Sequence, residues 1–133
     1  MRTAVNLVLC IFVLGLCLTA ADLSGSYKGT WSGMSGSGDV TVRVSSSSND
    51  KSQTEISFTI EGTVVKGKVI ALKIDGQHIE ITYNFEFDGT QMQSVLTGTV
   101  SNGVIEGAYK TKQLSDGSPV DEGTCKLTKM AGS

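Results

Sequence analysis

The chain has 133 residues, with 11 Lys and Arg against 13 Asp and Glu and a net charge of -2. That length suits one domain and excludes a multidomain enzyme. The near-neutral balance, with a pI of about 5.3, lacks the basic footprint of a nucleic-acid binder, and of the 3 Cys and 1 His too few lie beyond the leader described next to build a common Cys/His zinc site.

Residues 1–21 read as an address. Arg2 is the only charge before Asp22, the run from Leu7 to Leu18 is apolar throughout, and Thr19, Ala20 and Ala21 follow as small residues. This is the order of a secretory signal peptide, with cleavage expected after Ala21 and after Ala20 as the alternative. A membrane anchor is the rival. A helix of about 12 residues spans about 18 Å, too short for an apolar layer of about 30 Å. A lipid anchor on Cys17 is disfavoured by Leu16, since a small residue normally precedes such a cysteine. Removal of residues 1–21 takes away Cys10 and Cys17 and leaves Cys125 alone, so no internal disulfide is expected. Residues 22–133 are enough to bury a core without one. The expected location is secreted or periplasmic, with no transmembrane segment after signal cleavage.

From Asp22 onward the apolar residues alternate with polar ones, the period of a half-buried strand. Taken in chain order, the predicted strands are 25–33, 38–46, 53–61, 63–66, 69–75, 78–88, 91–101, 102–112 and 121–130. In the second, Val40, Val42 and Val44 oppose Asp39, Thr41 and Arg43. In the longest alternation, Ile79, Ile81, Tyr83, Phe85 and Phe87 oppose Glu80, Thr82, Asn84, Glu86 and Asp88. The short 63–66 piece is read as continuing its predecessor past a bulge at Gly62, which leaves about eight strands. Nothing after Ala21 sustains a helical period.

Turn chemistry separates the strands. Asp75-Gly76, Asp88-Gly89, Asn102-Gly103 and Asp116-Gly117 suit tight hairpins, because Asn, Asp and Gly tolerate left-handed backbone. Lys66-Gly67 is a weaker candidate. Ser45 to Lys51 reads as a polar loop. The segment Ser32-Gly33-Met34-Ser35-Gly36-Ser37-Gly38 lacks the Lys-Ser/Thr ending of a phosphate cradle and reads as a flexible loop at a barrel mouth. Short turns make neighbouring strands antiparallel. The expected fold is therefore all-β, a single antiparallel up-and-down β-barrel of about eight strands, whose closure removes the exposed edges. A two-sheet β-sandwich is the alternative.

Leu23-Ser-Gly-Ser-Tyr-Lys-Gly-Thr-Trp31 resembles the opening strand of calycin-type barrels, the lipocalins and avidins, in which a Gly and a nearby Trp close one barrel end. Gly29 and Trp31 carry that spacing, and Gly123 to Met130 looks like a closing strand. The resemblance implies a ligand-holding barrel. Trp31 is the only Trp, so the several Trp residues of an avidin pocket are missing and biotin is not implied. The stretches Leu96 to Val100 and Val104 to Gly107 also look like small exported bacterial proteins of unknown function, a likeness that implies location and fold only.

Few residues suggest chemistry. His78 opens a strand beside a turn and reads as an exposed hairpin residue. Ser94 and Cys125 are conceivable nucleophiles, but no Gly-x-Ser-x-Gly elbow is present. Glu80 and Glu86 sit six residues apart on one strand, about 20 Å, too far for a glycosidase pair. Asp116-Gly117 lacks the alternating oxygen ligands of a calcium loop. No catalytic residue, metal site or cofactor is expected. Cys125 is in phase with Leu127 and reads as a buried thiol, with an intermolecular disulfide as the alternative.

The aromatic residues are the best ligand-binding candidates: Tyr27, Trp31, Phe58, Tyr83, Phe85 and Tyr109. An eight-stranded barrel is just wide enough to be filled by side chains or to hold one small ligand. Ile, Val and these aromatics suffice to fill it, so a filled interior is weighed ahead of a pocket. Gly98 and Gly107 either leave room or mark barrel bends. The expected function is non-catalytic binding of a small apolar or amphipathic ligand inside the barrel, by analogy of fold alone. The alternative is a filled barrel whose loops bind another exported protein, as an inhibitor or an envelope assembly component.

Overall fold

The computed structural model describes residues 23–44 and 54–131. The expected signal peptide, Cys17 and the 45–51 loop lie outside the described residues. The eight strands are β1 (Gly25–Gly33), β2 (Gly36–Val44), β3 (Thr54–Ile60), β4 (Thr63–Asp75), β5 (His78–Phe87), β6 (Thr90–Ser101), β7 (Val104–Gln113) and β8 (Pro119–Lys129). They form a closed barrel in chain order, every neighbouring pair antiparallel. β8 returns to pair with β1, from Tyr27 opposite Lys129 to Gly33 opposite Gly123. That seam excludes the two-sheet sandwich. Among the described residues no helix is long and apolar enough to cross a membrane.

Three hairpins turn through two residues that both have positive φ: Glu61-Gly62, Asp88-Gly89 and Asn102-Gly103. This is the turn whose twist matches that of the flanking strands. Gly62 is thus a turn residue and not a bulge. The 63–66 piece belongs with 69–75 in the single strand β4, whose register shifts between Val69 and Ala71. Lys66-Gly67 is no turn; Gly67 lies inside β4 opposite Ile56. Asp116-Gly117 sits in a longer loop, where the Asp116 carboxylate accepts from the Ser118 amide at 3.0 Å and the Ser118 hydroxyl at 2.7 Å. The Ser32–Gly38 segment is strand on both sides of a Met34-Ser35 turn, not a flexible loop.

Glu61 is the weak member of these turns, with φ 52° on a residue that has no local reason to adopt it. Glu61→Asn is expected to stabilise the fold by about 0.5 kcal/mol, because Asn visits this region more readily. An unchanged or lower urea midpoint would contradict it.

The interior is filled at one end only. Around the ends of β2, β4, β6 and β8 and the starts of β5 and β7, the inward residues Val42, Val44, Ile79, Ile81, Ile105 and Leu127 are almost fully buried. Each such side chain contributes about 1.5–3 kcal/mol by leaving water. Tyr27 completes this plug, 1% exposed, with its hydroxyl donating to the Leu23 carbonyl at 2.9 Å. Leu23 folds over the same end and is itself buried.

Candidate functional site

The opposite end of the barrel opens into a cavity of about 330 Å³. The expected filled interior is therefore corrected. The physical reason lies in the inward face of each strand. Ser94 occupies an inward position between Met92 and Leu96, and Thr111 follows Tyr109 in the same phase. Short polar side chains stand there instead of long apolar ones. Gly98 and Gly107 do not create the space. They face each other across β6 and β7, and a Cβ on Gly107 would come within 2.5 Å of the Thr97 carbonyl oxygen. They mark a close strand contact.

Five of the six predicted ligand residues line the cavity: Trp31, Phe58, Tyr83, Phe85 and Tyr109. Phe58 packs on Phe85 edge to face, with ring centroids 4.9 Å apart, and on Tyr83 at 5.8 Å. Trp31 meets Tyr109 at 90° with centroids 6.0 Å apart. Tyr27 is the exception. It belongs to the plug at the other end, because the inward phase of β1 continues through Gly29 and places Tyr27 and Trp31 at different depths.

One wall carries a band of hydroxyls. Ser94 and Thr111 share a buried hydrogen bond, and Tyr83 lines the cavity beside them. Burial pushes the Tyr83 phenol up to about 12 against the lowering effect of Ser94. The group is neutral throughout the ordinary pH range. Cys125 lies in the same lining, buried, and burial pushes its thiol up to about 11. Such a thiol is a poor nucleophile at neutral pH. A partner chain's thiol would have to enter the barrel to reach it.

The mouth is latched by one carboxylate. Asp121 accepts from the Tyr109 hydroxyl at 2.8 Å, from the Ser35 amide at 3.0 Å and from the Ser35 hydroxyl at 2.8 Å. The Met34 amide adds a bond to the Glu122 carbonyl at 3.2 Å. Together these bonds hold the β1–β2 turn against β8. Trp31 is held separately, its indole N–H donating to the Thr59 carbonyl at 3.0 Å. Burial works to raise the Asp121 pKa, but the bonds from Tyr109, Ser35 and the Glu122 amide outweigh it and hold it below the usual carboxylate value. Tyr109 is pushed far up by burial, then by its hydrogen bond to Asp121 and the charge there.

This latch has a defined pH dependence. A carboxylate with a depressed folded-state pKa stabilises the fold above its unfolded value of 3.8, and that contribution is lost as pH falls through the lower folded value. The native protein is expected to lose more stability between neutral pH and pH values below 3.8 than Asp121→Asn does. Parallel urea midpoints for the two proteins across that range would contradict it.

Sequence reasoning missed Ser94 as a wall hydroxyl, and missed Thr111 and Asp121 altogether. Their signal was polarity at inward-phase positions, readable once the strand phase is fixed. His78 is exposed at the β4–β5 hairpin, on the plugged end. Glu86 is exposed and Glu80 partly so, on the outward phase of β5. Among the described residues no group of three or more His, Cys, Asp and Glu is placed to hold a metal ion. In comparisons with known proteins, no family model, curated protein or solved structure matches this chain.

Proposed function

We propose that this is an exported, non-catalytic binding protein of calycin type, which holds a small apolar or amphipathic ligand in the open half of its barrel. The observation that carries the reading is the one-ended cavity. Its volume of about 330 Å³ sits at the lower end of the roughly 300–1,000 Å³ of small-molecule pockets. Its walls are aromatic with a few convergent hydroxyls, the usual composition of a ligand site. Ser94 and Cys125 have no imidazole beside them, since His78 lies at the other end of the barrel. That favours binding over nucleophilic catalysis.

A second reading has the mouth dock on another exported protein. It draws on the rim, where Met34 is 77% exposed, Leu114 41% and Val120 37%.

Native mass spectrometry of protein from its own host tests the first reading. A mass excess of a few hundred daltons, lost on gentle activation, is expected. As a direct probe, 4-phenylbutanol should shift the Trp31 emission and slow alkylation of Cys125 by iodoacetamide. A bare mass together with no response to millimolar probe sinks the pocket, and a retained protein partner supports the second reading.

A further inference from the structure

The charges around the cavity point to the kind of ligand. This inference rests on the binding reading above and deepens it. Among the described residues that line the cavity, Glu61 and Asp121 are the only charged ones, and both are acidic. Both stand at the mouth, Glu61 in the β3–β4 turn and Asp121 near the start of β8. Asp88 and Asp116 add carboxylates to the β5–β6 turn and the β7–β8 loop at the same end.

Asp121 keeps its charge. Its partners are the Tyr109 hydroxyl, the Ser35 hydroxyl and amide, and the Glu122 amide, all neutral donors that spread the charge without cancelling it. Among the described residues, no Lys, Arg or His stands in the lining. Deeper in, the polar groups are the neutral hydroxyls of Tyr83, Ser94 and Thr111. An anionic ligand end therefore meets like charge at the mouth and no cation inside. An ammonium end at the mouth meets two carboxylates and the rings of Trp31 and Tyr109, which attract a cation through their quadrupoles.

We infer that the cavity selects a cationic amphiphile, an amine with an aromatic or aliphatic body, which lodges its body among Phe58, Tyr83 and Phe85 and its charge at the mouth beside Asp121 and Glu61. The selection acts against fatty acids and other anionic amphiphiles of the same size.

Three probes with one body test it: 4-phenylbutylamine, 4-phenylbutanol and 4-phenylbutyrate, titrated calorimetrically into the full chain. One exposed ion pair and one cation–π contact predict that the amine binds about fivefold to tenfold tighter than the alcohol. The butyrate should bind weaker than the alcohol. The amine-to-alcohol ratio should shrink in about 0.5 M salt, and it should fall toward one in Asp121→Asn. Glu61→Gln should lower it separately, and carries the test if Asp121→Asn does not fold. Butyrate binding as tightly as the amine overturns the inference, as does an amine preference that survives both substitutions and salt. Those results leave the pocket standing. Failure of all three probes to bind overturns the pocket reading and this inference with it.

Discussion

Gly29→Ala is expected to break the seam that closes the barrel. Gly29 lies in β1 between Val40 of β2 and Leu127 of β8. A Cβ at this position would stand 1.8 Å from the Lys126 carbonyl oxygen and 2.7 Å from the Leu127 Cα. Both are backbone atoms of a paired strand, so no flexible side chain can swing aside. Overpacking of this kind costs about 3 kcal/mol or more when the backbone has to move. The damage also has a direction. The β1–β8 pairing is the contact that joins the first strand to the last, and separating it restores two unpaired edges. The variant should lose stability in urea and should self-associate on size-exclusion chromatography. Gly98→Ala is the milder comparison, because a Cβ there would stand 3.0 Å from the Ile105 Cγ2 and 3.1 Å from the Glu106 carbonyl oxygen, contacts relieved by a shift of a few tenths of an ångström. It should cost about 1 kcal/mol. A monomeric Gly29→Ala protein as stable as Gly98→Ala would refute the closure argument.

The barrel was legible because two local signals agree over most of its length. Alternation in β2, β3 and β5 assigns an inner and an outer face, and Asp88-Gly89 and Asn102-Gly103 mark the hairpins that follow. The places where sequence reasoning failed are places where only one signal operates. Glu61-Gly62 turns with no Asn or Asp before its glycine, so from the sequence it reads as a bulge. The true bulge near Ile70 falls in a Val-Ile-Ala run that has no turn chemistry to mark it. The cavity is subtler. Periodicity says which residues point inward but not how deep each one sits. Trp31 and Tyr27 share a face of β1, and only the eight-strand register shows that one borders the cavity and the other seals the far end. The roles of Ser94, Thr111 and Asp121 depend on that same depth, because a hydroxyl or carboxylate becomes part of a site when aromatic neighbours from other strands surround it.

That division of the barrel into a sealed half and an open half predicts different consequences for two tyrosine substitutions at one position. Tyr27→Ala removes a ring that is 1% exposed and leaves a hole in the plug. By comparison with other aromatic truncations it should cost about 3–5 kcal/mol. It should also admit water and small reagents from the second end, so that iodoacetamide reaches Cys125 faster than in the native protein. Tyr27→Phe keeps the ring and loses the bond to the Leu23 carbonyl, at a cost of about 1–2 kcal/mol. It leaves the plug intact, and the affinity for 4-phenylbutanol at the open end should stay as it is. Trp31→Phe, in the cavity lining, should weaken that affinity while disturbing stability less than Tyr27→Ala. The reverse pattern, with probe affinity sensitive to Tyr27→Phe and indifferent to Trp31→Phe, would put the ligand at the plugged end and contradict the geometry. The two aromatics stand four residues apart on the same face of one strand, so the contrast between them measures depth in the barrel and little else.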